Sequence, residues 1–264
     1  MSAVPQPTEP VLLRSDAAGV ATLTLNRPQQ FNLLTSEMIE ALQAAFDSIA
    51  ADERVRVIVL AAAGKGFCAG HDLKEIRELR AQPRIEELFR RCSRMMVTMT
   101  RLPQPVIARV QGAAAAAGCQ LVAQCDLAVA VDSARFTAPG VSWGFFCSTP
   151  GVALARNLPR KRALEMLLTG DMIDAPTALQ WGLVNRVVPA EKLDAEVQAL
   201  AERIAAKPRH TVAEGKRAFY RQVDSDLERA YEIAGCVIAE SFAHEEGREG
   251  MDAFIDKRKP RWSA

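Results

Sequence analysis

Residues 64–73, GKGFCAGHDL, and residues 111–121, QGAAAAAGCQL, are two glycine- and alanine-rich turns that decide the fold of this chain. Each turn follows an apolar run, at 55–60 and at 105–110, and each leads into a helical pattern. Small residues leave backbone N–H groups open to close approach by a ligand. Two such donors that converge on one oxygen would form an oxyanion hole.

The pattern around these turns is that of an α/β protein with parallel strands. Residues 11–14 and 20–25 predict a hairpin, and apolar runs predict buried strands at 55–60, 105–110 and 126–131. Short strands are predicted at 135–138 and 184–188, and a loop at 145–151. Helices are predicted after a cap at Thr35 or Ser36, after Asp72, from near Gly118, and over 84–101, 161–168, 175–181, 190–206, 212–222, 226–242 and 247–258.

The two parts of the chain differ in these patterns. Beyond Pro150 the strand pattern almost vanishes, and short amphipathic helices follow one another. We therefore predict an α/β core over residues 1–190 and a helical region over residues 191–264. The helical region is expected to pack on the core and on a neighbouring subunit, because its helices are too few and too short for a core of their own.

Composition and charge limit the class of protein. The chain of 264 residues is 49% hydrophobic and 25% charged, and its net charge of +1 is not that of a nucleic-acid-binding protein. Its six cysteines form no CxxC pair and its three histidines lack metal-ligand spacing, so we expect reduced thiols and no metal site. The leader MSAVPQPTEP has no signal-peptide pattern, and no apolar run could span a bilayer. These features favour a cytoplasmic protein without a nucleic-acid or membrane partner.

Two short motifs compete with this interpretation. Gly64-Lys65 is similar to part of a P-loop, but the motif needs a glycine at Val59 and a hydroxyl residue at Gly66. Residues 140–144, GVSWG, do match the GxSxG elbow of serine hydrolases around Ser142. Downstream residues in the order of a catalytic triad are Asp171 or Asp174, followed by His210 or His244. The residues after the motif argue against an elbow, because a loop is predicted at 145–151 where an elbow requires a helix.

Five separated segments resemble a known family. Residues 60–74, LAAAGKGFCAGHDLK, resemble the signature of the crotonase (enoyl-CoA hydratase/isomerase) superfamily, and residues 25–34 resemble its amino-terminal element. Residues 105–126, 136–151 and 254–260 match later elements of the family in the same order. The stretches HDLKE, AAGCQLVA, FCSTPGVALARNLPRKRALEML and KRKPRW further resemble one subgroup, the enoyl-CoA hydratase domain-containing protein 3 type.

The resemblance implies a ββα spiral core with a helical C-terminal region that completes a homotrimer or a dimer of trimers. It also implies binding of acyl-CoA, with coenzyme A as part of the thioester substrate and no separate cofactor. The thioester carbonyl would lie between the backbone N–H groups of His71 and Ala117, where preorganised donors stabilise an enolate. The implied substrate and CoA contacts are Gln29, Phe31, Ala69, His71, Asp72, Leu73 and Ala113, with Phe254 and Lys257 reaching the CoA of a neighbouring subunit.

The departures from the family concern its acid–base groups. Family hydratases use two glutamates, and the corresponding positions here are Gln120 and Gly140. An amide does not titrate in the accessible range and glycine has no side chain, so neither can transfer a proton. Ser148 stands near the place of an acidic residue of the family's dienoyl-CoA isomerases. We therefore predict weak or absent hydration of 2-enoyl-CoA, with a non-enzymatic acyl-CoA carrier or sensor as the alternative.

Other side chains near the turns have simple structural interpretations. We expect His71 to start a helix with its ring towards solvent or CoA and to contribute only its N–H. Gln120 is free either to bond a substrate or water, or to satisfy the loop. Structural roles are also favoured for Asp72 (a helix N-terminal charge), Cys119 and Cys147 (small fillers), Met95, Met96 and Met99 (core), while Phe145 and Phe146 line an acyl tunnel or pack.

Overall fold

The computed structural model describes residues 9–262, which form two sheets and eleven α-helices. In the main sheet the hairpin pair is antiparallel and every other neighbouring pair is parallel. Its strands are, in spatial order, β1 (Leu12–Ala17), β2 (Val20–Leu25), β3 (Val57–Ala62), β4 (Val106–Val110), β6 (Leu127–Val131) and β9 (Arg186–Val188). The small sheet contains β5 (Ala114–Ala115), β7 (Arg135–Thr137) and β8 (Ile173–Asp174).

The α-helices alternate with the strands in the first part of the chain and follow one another in the last part. They are α1 (Ser36–Ala50), α2 (Leu73–Leu79), α3 (Gln82–Arg101), α4 (Ala117–Gln124), α5 (Ser148–Asn157), α6 (Arg160–Thr169), α7 (Ala175–Trp181), α8 (Leu193–Ala205), α9 (Arg209–Gln222), α10 (Leu227–Ala243) and α11 (Glu245–Ile255). Short 3₁₀ helices lie at Pro28–Gln30, Pro139–Trp143 and Ala190–Lys192.

Local sequence explains most of these elements. The continuous apolar run of β3 is buried at every position, as expected for a central parallel strand. Thr35 caps α1 by accepting a hydrogen bond from the backbone N–H of Met38 at 3.2 Å. Below that cap, the apolar stripe of α1 faces the core with Leu42, Phe46 and Ile49 fully buried.

One predicted loop was too long, and two short strands were missed. The loop predicted at 145–151 ends early, because α5 already begins at Ser148. Pro150 lies in the first turn of α5, where its missing N–H leaves no helical hydrogen bond unmade. The two-residue strands β5 and β8 were not predicted, since two residues show no periodicity.

The C-terminal helices have two different environments. Helix α8 packs on β2, β3, β4 and β6, and its residues Leu193, Val197 and Ala201 belong to the buried core. Helices α9, α10 and α11 pack mainly on one another, with α9 also touching α3. The predicted boundary at residue 190 stays a prediction.

The two small-residue turns leave the carboxyl ends of β3 and β4, which are neighbours in the main sheet. Ligands of parallel α/β sheets bind at this edge, outside the carboxyl ends of the strands. The described helices include none that is long and apolar enough to cross a membrane. In the same residues no group of three or more His, Cys, Asp or Glu side chains is placed to hold a metal ion.

Candidate active site

The two turns are hydrogen-bonded to each other along their backbones. The N–H groups of Phe67 and Cys68 donate to the carbonyl oxygen of Ala113, at 2.9 and 3.3 Å. In return, the N–H of Ala115 donates to the carbonyl oxygen of Cys68 at 2.9 Å. The two small-residue turns are therefore joined by backbone hydrogen bonds into a single structural unit.

Glycine permits this close contact. A Cβ atom at Gly118 would overlap the carbonyl oxygen of Cys68, so only glycine fits there. Gly70 has a φ of +95°, and a Cβ atom on it would lie 3.1 Å from the carbonyl oxygen of Ala115 and 3.2 Å from the backbone nitrogen of Ala117. The peptide before His71 is thus packed directly against the start of α4.

Two backbone N–H groups at this contact have no protein acceptor. Within residues 9–262 the N–H groups of His71 and Ala117 donate to no backbone or side-chain oxygen. Ala117 is the first residue of α4, where N–H groups are orphaned by the geometry of a helix. Ala116 before it has a φ of 49° and a ψ of −118°, a conformation that alanine rarely adopts. Strain of this kind is concentrated at functional sites.

The imidazole of His71 packs against the protein rather than facing solvent, which is one of the two orientations expected from the sequence; an orientation towards CoA stays a prediction. Its Nδ1 lies 3.1 Å from the carbonyl oxygen of Leu34, and the ring stands edge-on to Phe89 with centroids 4.9 Å apart. A carbonyl can only accept, so Nδ1 carries the proton, and Nε2 is buried with no hydrogen-bond partner among the described residues. Burial lowers the pKa of this imidazole, which favours the neutral ring.

The positions of the two expected carboxylates have different surroundings. Gln120 is 4% exposed in the first turn of α4, and its Oε1 is buried without a hydrogen-bond partner in residues 9–262. Gly140 is buried, and a Cβ atom on it would lie 2.7 Å from the carbonyl oxygen of Phe145 and 2.8 Å from Sγ of Cys147. The space of a side chain at 140 is therefore already occupied, and neither position holds an ionisable group.

Cys119 and Cys147, the cysteines considered near the site, are both buried. Burial raises the pKa of Cys119 to about 12 and also raises that of Cys147. The thiol of Cys147 accepts a hydrogen bond from the N–H of Gly140 at 3.3 Å. Both residues fill space as predicted, and Met95, Met96 and Met99 likewise lie in the core.

The predicted substrate contacts fall into two groups. One group surrounds the first turn: Gln29 in a 3₁₀ helix, Phe31 (63% exposed), Ala69, Asp72, which caps α2 through the N–H of Lys74, Leu73 (55% exposed) and the exposed Ala113. The other group, Phe254 and Lys257, lies at the exposed end of α11, which packs on α9 and α10. Within one chain no hydrogen bond or ion pair of the described residues joins the two groups.

The serine hydrolase motif lacks its geometry. Ser142 lies in the 3₁₀ helix Pro139–Trp143, and its side chain makes no hydrogen bond with another described residue. The two candidate bases, His210 and His244, stack on each other with centroids 3.7 Å apart near the start of α9. Ser148, the residue near the isomerase position, begins α5, and its Oγ lies 3.4 Å from the carbonyl oxygen of Phe146. Phe145 and Phe146 are half exposed.

Two amide side chains that the sequence analysis did not single out hold the first turn. Asn32 is fully buried and its Nδ2 faces the carbonyl oxygens of Ala63, Gly66 and Phe67. From the other turn, Nε2 of Gln111 lies 2.9 Å from the carbonyl oxygen of Ala62 and 2.9 Å from that of Gly66. The only sequence signal was a weak one, an asparagine in the polar stretch QQFN, where asparagine is favoured in left-handed backbone.

Comparison with known proteins identifies the class to which this fold and site belong. A sequence model of the enoyl-CoA hydratase/isomerase family matches residues 15–264, and the chain belongs to that family. Its architecture is accordingly the crotonase-type α/β fold with a helical C-terminal region.

Individual relatives are similar over almost the whole chain. Enoyl-CoA hydratase domain-containing protein 3, mitochondrial, of Mus musculus is 45% identical over 245 residues, which is 93% of this chain and 82% of the relative. The crystal structure of the human enoyl-CoA hydratase domain-containing protein 3 is 44% identical with a TM-score of 0.93, covering 96% of this chain and 100% of that one. An enoyl-CoA hydratase structure from Mycobacterium smegmatis is 55% identical with a TM-score of 0.94, covering 96% and 99%.

Proposed function

We propose that this chain binds acyl-CoA thioesters and polarises the thioester carbonyl between the backbone N–H groups of His71 and Ala117. The observation that carries the proposal is the pair of N–H groups without an acceptor among the described residues, on two turns packed against each other. Donors held in place before the ligand arrives stabilise developing negative charge without a reorganisation cost. Membership of the enoyl-CoA hydratase/isomerase family supports the thioester as the ligand.

The same proposal includes weak or absent hydration of 2-enoyl-CoA. Water addition needs a base for the water and an acid for the α-carbon, and each group contributes about 10²–10⁴-fold. Gln120 supplies an amide, and the space beside Gly140 is filled by Phe145 and Cys147. What remains is a carbonyl-polarising site without a carboxylate at either position.

Hydration assays with crotonyl-CoA and longer enoyl-CoA thioesters test this part directly. We expect a turnover far below the usual enzyme range of about 1–10³ s⁻¹. Gln120→Glu would return one carboxylate beside a polarised thioester, so this variant should exchange the α-protons of butyryl-CoA with D₂O at least about 10²-fold faster than the wild type. Rapid hydration by the wild type, or no gain by the variant, would count against the proposal.

A second candidate is an acyl-CoA carrier or sensor without chemistry. The absence of an ionisable side chain at both positions favours it, because binding needs only the N–H donors. Incubation of the protein with a panel of acyl-CoA thioesters separates the two candidates. Free CoA, a hydrated product or an isomerised product would identify an enzyme, whereas saturable binding with unchanged thioester would identify a carrier.

Assembly and location complete the proposal. A homotrimer or a dimer of trimers would bring Phe254, which is 85% exposed, and Lys257 to the CoA of a neighbouring subunit. The cysteines of the described residues are all unpaired, which suits a reducing compartment such as the cytoplasm. The relative from Mus musculus has "mitochondrial" in its name, so fractionation of the source cells is the deciding measurement.

A further inference from the structure

A short segment, residues 31–34, runs beside the first turn and is here called the strap. It contacts the turn at several consecutive residues rather than at one point. These contacts are the hydrogen bond from the N–H of Ala69 to the carbonyl of Phe31 (3.0 Å), that from the N–H of Leu34 to the carbonyl of Gly70 (2.8 Å), and that from Nδ1 of His71 to the carbonyl of Leu34 (3.1 Å).

Asn32 is the centre of the strap. Its Nδ2 lies 2.9 Å from the carbonyl oxygen of Ala63 and 3.2 Å from those of Gly66 and Phe67, so one amide group faces two carbonyls of the turn and the carbonyl that precedes it. Its Oδ1 accepts a hydrogen bond from the N–H of Arg27 at 2.9 Å. The side chain is fully buried, so loss of these contacts would leave buried polar groups unpaired.

The strap has a strained backbone. Phe31 and Asn32 have φ values of 50° and 53°, two consecutive non-glycine residues in the left-handed region. Such residues are strained and persist only where surrounding contacts hold them. Asparagine tolerates this region better than phenylalanine does. The hydrogen bonds of Asn32 hold the backbone of the strap in this conformation.

These contacts determine the direction of one proposed donor. The Gly70 carbonyl and the His71 N–H belong to one planar trans peptide, in which the two bonds point in opposite directions. Because the N–H of Leu34 holds that carbonyl, the N–H of His71 must point away from the strap. The strap therefore sets the orientation of an N–H that has no acceptor in the part of the chain that the structure describes.

We propose that Asn32 is a positioning residue for the thioester carbonyl: it holds the strap and the first turn together and so aims the N–H of His71. The inference rests on the proposed function, since it concerns the same carbonyl. Asn32 contacts only protein backbone atoms among its hydrogen-bond partners, so it acts through His71 and not on the ligand.

The test compares Asn32→Asp with a matched control, Gln104→Glu. Aspartate has the size of asparagine and also tolerates the left-handed backbone region. When ionised it has no donor for the three carbonyls, and when protonated it has only one O–H donor. Gln104 is another buried amide, 3% exposed, whose Nε2 donates to the carbonyl of Ile49 at 2.8 Å, outside the two turns. Both variants remove a buried amide donor, but only one lies at the turn.

The readouts are the C=O stretching frequency of bound, carbonyl-labelled butyryl-CoA and the Kd values of butyryl-CoA and of CoA alone. We expect Asn32→Asp to lose most of the downward frequency shift of the bound carbonyl and to weaken butyryl-CoA about tenfold, equivalent to roughly one hydrogen bond. The Kd of CoA alone should change much less. Gln104→Glu should keep the frequency shift of the bound carbonyl, even if its melting temperature falls as far as that of Asn32→Asp.

Each other outcome has a definite meaning. An unchanged shift in Asn32→Asp, or an equal loss in Gln104→Glu, would overturn the positioning role. No shift in the wild type would instead contradict the proposed function itself. If Asn32→Asp does not fold, Gln111→Glu decides in its place, because this half-buried amide holds the carbonyls of Ala62, Gly64 and Gly66. Loss of the shift is expected there too, and its retention would overturn the inference.

Discussion

At the scale of single residues, the packing around Gly140 shows why a carboxylate at position 140 cannot be restored by substituting that residue alone. The carbonyl oxygen of Phe145 and the thiol of Cys147 already occupy the space in which a side chain at 140 would begin. We predict that Gly140→Glu destabilises the fold by about 1–3 kcal/mol through overpacking and yields no hydratase. Thermal unfolding and a crotonyl-CoA assay check this.

Gly144→Ala is a useful comparison for that experiment, because no atom lies within 4 Å of a Cβ at that position. Its cost should come from its φ of +83° alone. A Gly140→Glu variant that is as stable as the wild type, or that hydrates crotonyl-CoA, would contradict the packing argument.

His71 gives a prediction about pH. Burial lowers the pKa of its imidazole from the ordinary 6.5, so below that pH the unfolded chain binds a proton that the folded chain does not. Stability therefore falls as the pH falls below 6.5, and this loss ends once the pH is below the folded pKa. His71→Asn keeps a donor for the carbonyl of Leu34 but does not titrate in this range.

Denaturant unfolding between pH 7 and pH 5 measures the difference. The variant should lose less stability on acidification than the wild type does. Equal pH dependence of the two proteins would show that the ring is not held neutral by the fold.

At the scale of elements, α9 is attached to the sheet through a buried ion pair. Nζ of Lys216 lies 2.6 Å from Oδ2 of Asp126, and the hydroxyl of Tyr220 donates to Oδ1 at 2.8 Å. The side chains of Lys216 and Asp126 are only 6% and 16% exposed. We predict that Lys216→Met costs ~3–5 kcal/mol, because it leaves a carboxylate without its charged partner.

The exposed pair of Arg156 and Asp224 serves as the control. It links α5 to the segment just after α9, and the two side chains are 57% and 65% exposed. Arg156→Met should cost less than about 1 kcal/mol. Similar unfolding free energies for the two variants, measured in denaturant, would contradict the assigned role of the buried pair.

The sequence predicted elements well where periodicity or a cap was present. The hairpin, β3, β4 and the long helices were found, and Thr35 is the cap of α1. What failed depended on tertiary context: β5 exists because Cys68 and Thr137 lie beside it. The stretch 145–151 was predicted as a loop, but α5 begins at Ser148 and tolerates Pro150 in its first turn.

The site was predictable only in part for a similar reason. The small residues 112–118 predicted close approach by a ligand, which stays a prediction; what the structure shows is the close packing of the two turns on each other. The inward rotation of the His71 ring and the convergence of Asn32 on three distant carbonyls are long-range contacts, and no local pattern encodes them.

At the scale of the whole molecule, the C-terminal helices present exposed apolar side chains. On α10, Leu227 and Tyr231 are 73% and 74% exposed, and at the end of α11 Phe254 is 85% exposed. Exposed apolar side chains in such number are a mark of a protein–protein interface. We predict sedimentation as a trimer or hexamer, and dissociation of that assembly by Tyr231→Glu.

Analytical ultracentrifugation at micromolar concentration measures both proteins. Lys161→Glu, a charge change at an already polar position of α6, is the control that should leave the mass unchanged. A wild-type monomer would contradict the proposed assembly and the proposed contact of Phe254 and Lys257 with the CoA of a neighbouring subunit.

The central claim is that the N–H groups of His71 and Ala117 polarise a thioester carbonyl. Infrared difference spectroscopy of bound butyryl-CoA, labelled with ¹³C at the carbonyl, measures this without any substitution. Two hydrogen bonds to the carbonyl oxygen weaken the C=O bond, so the account predicts a band at lower frequency than in free butyryl-CoA in water. A bound carbonyl that absorbs at the frequency of the free thioester, or above it, would contradict the account.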